Sequence, residues 1–295
     1  MKRIGIIRGG VGEDYEASLQ KGADIFSFIE KHIGKNWKPI DIFIDKVGIW
    51  HIGGLPVMPA DLYHRVDIVW NNASPEINAM LDSLGVPHIS TPAYAQGLGK
   101  SRAMLENHMN QLGVNMPKHF VIPAYLEGLD QSIEKYATSN SKSVFEKFGS
   151  PWIVKSLGEK NPMGIHVAKT YPELVNAIID GAEHGGSMIV EELISGKEMS
   201  VHSLKNFRNE DVYIFPSKVS HEERQGLHKI ILDLHQSTDS HYLKSDFILH
   251  PRGEIYLKSI AFSLDFAESS HLNDALGDIG AETQHILESI LDSHI

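Results

Sequence analysis

Short apolar runs alternate along this chain with longer stretches whose apolar residues recur every three or four positions, the pattern of strands alternating with amphipathic helices. Arg3 to Ile7 is such a run, ending at Gly9-Gly10. Glu16 to His32 then sets Leu19, Ala23, Ile25, Phe26 and Ile29 at helical spacing, so the chain opens as strand, glycine turn and helix. Asp41 to Asp45, Ile49 to Ile52 and Val66 to Trp70 are predicted strands. Glu76 to Leu84 is a predicted helix stopped by Gly85, and Val86-Pro87-His88-Ile89 leads into the next strand. Residues 1–97 thus describe a doubly wound α/β domain.

A second unit, 98–187, opens with a helix from Lys100 to Leu112, ended by Gly113, and a strand from Lys118 to Ile122. A helix from about Asp130 to Phe148, a strand through Pro151 to Lys155, a polar glycine-containing loop from Ser156 to Gly164, a strand from Ile165 to Lys169 and a helix from Pro172 to Glu183 follow. In a third unit, 188–295, Met188 to Leu193, Glu198 to Leu204 and Val212 to Phe215 are predicted strands and Ser220 to Leu234 a helix. Phe247 to His250 and Glu254 to Lys258 form a hairpin about Pro251-Arg252-Gly253, and a last helix spans Ala281 to Leu291. The second and third units are of α+β type. No internal repeat or low-complexity tract is present.

Composition narrows the chemistry. The 295 residues are 42% hydrophobic, enough for buried cores in two or three folding units. No cysteine occurs, which removes disulfides, thiolate metal ligands and cysteine nucleophiles and fits a reducing compartment. With 38 acidic against 27 basic residues and a formal charge of −11, no general nucleic-acid surface is expected. No apolar run reaches the roughly 20 residues a membrane helix needs, and the opening apolar run is too short for a signal peptide, so a soluble, cytoplasmic protein is expected.

Three places carry candidate chemistry. Gly9-Gly10-Val11-Gly12 allows either a tight turn or a backbone approach to an anion. Met188 to Glu198 delivers Glu191 on a strand and Glu198 at the start of the next, two acceptors suited to an amine and to a pair of hydroxyls, or simply charges flanking a strand. Trp152-Ile153-Val154-Lys155 ends an apolar strand on a lysine, whose cationic head can meet a phosphate.

Taken in order, these motifs resemble the ATP-grasp superfamily and, within it, the D-alanine–D-alanine ligases. Gly9-Gly10 with Glu16 and Ser18-Leu19, Leu84-Gly85-Val86-Pro87, Leu112 to Pro117, Val154-Lys155, Val190-Glu191-Glu192, Ser195 to Glu198 and Asp246 to Leu249 carry the likeness, over nearly the whole chain. The resemblance implies a fold in which an N-terminal α/β domain precedes two α+β units enclosing a nucleotide cleft. It implies that Lys155 and Arg102 touch phosphates, that Glu191 and the backbone through Leu193 hold adenine, and that Glu198 holds the ribose of ATP. Asp14 and Glu16 fall near an amine-binding position, and a homodimer is expected.

The departures from the family lie at the reacting end. Where it carries Glu-x-Asn for magnesium, this chain has Lys258-Ser259-Ile260, leaving Asp246 of the usual metal ligands, so ordinary two-metal binding is not expected. Like charges about 4 Å apart cost about 4 kcal/mol at an effective dielectric of roughly 20. Lys160-Asn161-Pro162-Met163-Gly164 replaces a Gly-Ser-Ser-x-Gly phosphate loop, and Pro162 lacks an amide. The family's Tyr-containing flap has no counterpart before Ser220. Trp70-Asn71-Asn72 and Ser263-Leu264-Asp265-Phe266 replace substrate-side segments. Counting back from the hairpin turn places Asp246 opposite Lys258, so Lys258 is expected either to pair with Asp246, with Ile260 closing the same face, or to contact phosphate.

Among the 17 histidines, His221, His228 and His235 recur on one predicted helix without a zinc-ligand pattern and are read as surface groups. His51, His88 and His119 are read as satisfied structural groups, and Trp152 and Phe120 as core. Two functions follow: an ATP-dependent carboxylate–amine ligase, or a protein that keeps the adenosine grip without the metal centre.

Overall fold

A computed structural model describes residues 1–12, 14–128, 132–157, 163–216, 219–264 and 271–294. In chain order the first elements are β1 (Lys2–Gly9), α1 (Tyr15–His32), β2 (Trp37–Ile44), β3 (Trp50–Ile52), β4 (Leu55–Val57), α2 (Leu62–Arg65), β5 (Ile68–Asn71), α3 (Glu76–Ser83), β6 (His88–Ile89), α4 (Ala93–Lys100) and α5 (Arg102–Leu112). They continue as β7 (His119–Ile122), α6 (Ile133–Lys147), β8 (Trp152–Ser156), β9 (His166–Ala168), α7 (Tyr171–Glu183), β10 (Met188–Glu192) and β11 (Lys197–Phe207). β12 (Glu210–Ile214), α8 (His221–Thr238), β13 (Tyr242–Leu249), β14 (Ile255–Ala261), α9 (His271–Gly277) and α10 (Thr283–Asp292) complete the chain.

Two compact units result, one of Met1–Gly113, Met199–Phe247 and Ser259–Ile295, the other of Val114–Glu198 and Ile248–Lys258. The first unit contains a six-stranded sheet in the order β4-β3-β2-β1-β5-β6, in which β1 runs parallel to both β2 and β5. Buried on both faces, β1 is a near-continuous apolar run instead of an alternating one. Ile4 and Ile6 pack with Ile25, Ile29 and Leu287 on one face, and Ile7 with Ile42 and Val69 on the other. Parallel neighbours on either side of β1 place a topological switch point at β1 and β5, the position where doubly wound sheets open a crevice at their carboxyl ends.

The second unit is built on the sheet β7-β10-β8-β9, antiparallel throughout, with α6 and α7 against one face. Trp152, 1% exposed, anchors that core together with Val154, Val190 and Leu174. A further sheet has the order β12-β11-β13-β14.

Most predicted elements are present with boundaries moved by a few residues. The helix read from Lys100 starts at Arg102, because Ser101 caps it, its Oγ accepting the Met104 amide at 3.3 Å. α4, which carries Gly97 and Gly99, and the short β4 and α9 gave no strong periodicity and were not anticipated. The start of the helix read from Asp130 and the loop Lys160-Asn161-Pro162 lie outside the described residues, as do Ser217-Lys218 and Asp265-Phe266.

One histidine reading is overturned. His235 is 1% exposed, not a surface group, because α8 runs on to Thr238 and so puts position 235 on the stripe of Leu227, Ile231 and Thr238. Its ring shares a 2.8 Å hydrogen bond with the Ser203 hydroxyl and donates through Nδ1 to the Ser240 carbonyl. Burial lowers its pKa from 6.5 to about 4, against the opposing pull of the Ser240 carbonyl. His241, facing His294 at 3.0 Å, is likewise lowered to about 4, by burial first and then by His294. Both rings are neutral in the fold and protonate near pH 6.5 when the chain unfolds. Stability measured by urea denaturation is therefore expected to be flat above about pH 6.5 and to fall between there and pH 4, with a shallower fall in His241→Asn. An unchanged midpoint across that window would contradict it.

Candidate functional site

Alternation along the strands of the second unit gives its sheet two chemically different faces. One carries the core. On the other, the register pairs Ile189 with Lys155 and Glu191 with Ile153, which makes Lys155 and Glu191 diagonal neighbours on one face. The Lys155 ammonium lies 2.6 Å from a Glu191 carboxylate oxygen. Glu191 is buried at 8% exposure, whereas 35% of the Lys155 side chain remains accessible. Val121, opposite Ile189, and Val167, opposite Ile153, share this face and are 43% and 51% exposed. The result is an apolar platform with one buried carboxylate and one reachable cation.

The neighbouring candidates are committed to local partners. Leu193 donates its amide to the Pro151 carbonyl at 3.0 Å, and Glu192 donates its own to Lys118 at 2.8 Å. A base taking the Leu193 amide has to displace the first of these bonds. Glu198 accepts from Lys258 at 2.8 Å, in a pair whose carboxylate side chain is 66% exposed. Arg102 sits at the first position of α5, behind the Ser101 cap.

Asp246 and Lys258 have partners other than those the hairpin count suggested. Asp246 accepts the hydroxyls of Ser200 and Ser259, each at 2.6 Å on a different carboxylate oxygen, and lies 3.6 Å from Lys244. Ser259, one residue beyond the counted position, is the group that reaches it. A one-residue offset reverses which face a strand residue occupies, which accounts for Lys258 meeting Glu198 instead. Burial acts to raise the Asp246 pKa, but the two hydroxyls and the Lys244 charge outweigh it and hold the carboxyl below its ordinary value. Ile260 is buried, at 7% exposure.

At the start of α1, Asp14 accepts from Lys100, and Glu16 lies 3.4 Å from Lys46 in an exposed pair. The glycine turn is used internally. Gly9 donates its amide to the Ser18 hydroxyl at 2.9 Å and Gly10 to the Ile44 carbonyl at 2.9 Å, so the tight-turn reading holds for these two amides. At Gly9, where φ is +88°, an added Cβ would strike the Ile44 carbonyl oxygen. His51 and His88 have local partners in Asp45 and the Val86 carbonyl. Among the described residues no group of three or more His, Asp or Glu side chains could hold a metal. Sequence reading missed the two serines on Asp246, since nothing in the spacing of Ser200 and Ser259 tied them to one carboxylate.

The two lysine–carboxylate pairs differ in burial, and their energetics should follow. Lys155→Met leaves a buried anion and is expected to cost about 3 kcal/mol of unfolding free energy. Lys258→Met leaves an exposed one and should cost under about 1 kcal/mol. Equal losses in a denaturation series would contradict the assigned burial.

Comparison with known proteins places this geometry. Residues 109–218 match the family described as "D-ala D-ala ligase C-terminus". A D-alanine–D-alanine ligase of Anaeromyxobacter sp. (strain K) is 24% identical over 201 residues, 68% of this chain and 59% of that protein. The chain thus spans about three fifths of the length of the first curated relatives it matches. One from Geobacillus kaustophilus is 19% identical over 88% of this chain and 85% of its own. Among solved structures, the VanG D-Ala:D-Ser ligase of Enterococcus faecalis superposes with a TM-score of 0.69 at 17% identity, covering 100% of this chain and 99% of that one. The Bacillus anthracis D-alanine–D-alanine ligase complexed with ATP gives 0.64 at 16%, over 99% and 96%. The fold read from the motifs, the ATP-grasp fold, is the one these structures share, and over residues 109–218 the chain is similar to the D-alanine–D-alanine ligases.

Proposed function

We propose that this protein binds an adenine nucleotide on the Lys155–Glu191 face and is built as an ATP-dependent carboxylate–amine ligase of the D-alanine–D-alanine type. The observation that carries the reading is the apolar platform holding one buried carboxylate and one reachable lysine, within the stretch 109–218 that matches the ligase family. A phosphate oxygen is a stronger partner for the Lys155 ammonium than a single carboxylate, so nucleotide binding would draw Lys155 from Glu191. Glu191 would then accept the exocyclic amine of the base, and Glu198, released by Lys258, the ribose hydroxyls. In ligase chemistry of this type the terminal phosphoryl group passes to a carboxylate oxygen, ADP leaves, and an amine displaces the phosphate. The protein contributes mainly position and charge.

Magnesium normally assists that transfer, and the residues present do not fit it. Both oxygens of Asp246 are held by serine hydroxyls, Lys244 stands 3.6 Å away, and Lys258 and Ile260 occupy the places where the family has two further oxygen donors. Nucleotide binding without a divalent ion is part of the proposal. The same observations favour a second reading, in which the nucleotide is held without ligase turnover. Homodimeric assembly, a cytoplasmic setting and the division into 1–97, 98–187 and 188–295 belong to the first reading and rest on the likeness to the ligases.

Calorimetry with ATP, ADP and AMP, with magnesium and with chelator, tests the proposal. ATP and ADP are expected to bind within about threefold of each other in both conditions, and Lys155→Met should weaken both by about tenfold or more. A large gain in ATP affinity on adding magnesium would overturn the metal-free part. Phosphate release that depends on an added amino acid would decide for ligase activity against nucleotide holding.

A further inference from the structure

The switch point of the six-stranded sheet opens onto a cavity of about 410 Å³ whose lining lies entirely in the first unit. Trp70 and Asn72 reach it from the carboxyl end of β5, and Ile25 from α1. Phe262, Leu272 and Ile290 complete its apolar walls. None of the residues assigned to the nucleotide lines it.

Size and chemistry together define an occupant. At about 30 Å³ per water the space equals roughly fourteen waters, room for about a dozen non-hydrogen atoms. Alanine has about half that number, so an alanine-sized ligand would leave much of the cavity unfilled. Two exposed lining residues of opposite charge, Lys21 and Asp24, are neighbours one helical turn apart on α1. Lys21 forms no ion pair among the described residues, and Asp24 accepts only an uncharged hydrogen bond, from Gln20 at 2.8 Å. Asn72 also lines the cavity, its Nδ2 buried with no hydrogen-bond partner among the described residues.

We propose that this cavity binds a free α-amino acid with a bulky apolar or aromatic side chain. The carboxylate meets Lys21, the ammonium meets Asp24, and the side chain lies against Trp70 and Phe262. This names the amino-acid class for the ligase reading and rests on that reading for its place in turnover, while the binding itself needs no nucleotide.

The test is titration of the intact chain, without nucleotide, with both enantiomers of phenylalanine and of alanine. One enantiomer of phenylalanine is expected to bind at least about tenfold more tightly than either alanine. Lys21→Gln and Asp24→Asn, both on the exposed side of α1, should each weaken it by about tenfold with an unchanged melting temperature. Alanine binding as tightly as phenylalanine, no binding of either, or full affinity in both variants would overturn the proposal. Lys155→Met separates the two readings, since it should lose nucleotide and keep phenylalanine. If unaltered protein binds nucleotide and not phenylalanine, the amino-acid proposal alone fails; the reverse result defeats the nucleotide reading alone.

Discussion

The diagonal contact between Lys155 and Glu191 across β8 and β10 is the interaction on which the functional organisation depends. The Glu191 carboxylate is only 8% exposed, and the antiparallel register puts the Lys155 ammonium beside it. That pairing fixes the chemical character of the face: a charge held ready beside Val121 and Val167, which offer exposed apolar contact. A planar base with a polyanionic tail suits such a surface better than a peptide or a sugar, because one end needs apolar contact and the other a cation.

The reacting end is organised differently. Asp246, which the likeness to the ligases marks as a metal ligand, is held below its ordinary pKa by two serine hydroxyls and Lys244 against the effect of its own burial. Lys258 serves Glu198. Each of these groups is already satisfied by protein, which is the opposite of the open, oxygen-rich arrangement a hard divalent ion requires. On the proposed reading, the groups that would grip a nucleoside are present, and Lys258 and Ile260 stand where the likeness to the ligases calls for metal ligands.

Much of this was legible in the sequence because it depends on local pattern. The apolar runs Trp152 to Val154 and Met188 to Val190 marked strands, and their ends marked the lysine and the carboxylates. What stayed hidden depends on register and on contacts between distant segments. A one-residue offset separated Lys258 from its expected partner and brought Ser259 to Asp246. Four more residues of α8 turned His235 inward. The cavity in the first unit joins α1, the ends of β5 and β6 and the segment after β14, and no single stretch of sequence announces it. Lys21, Asp24 and Ile25 did stand at helical spacing, but that spacing equally describes any amphipathic helix.

The account turns on a nucleotide site that works without a divalent ion, and a crystal structure grown with ADP and manganese addresses it most directly, because manganese is located by its anomalous scattering. The account predicts the diphosphate beside Lys155, the base against the Val121–Val167 face with Glu191 turned to it, and no anomalous peak at Asp246. Manganese bound to Asp246, or a nucleotide seated away from that face, would contradict it.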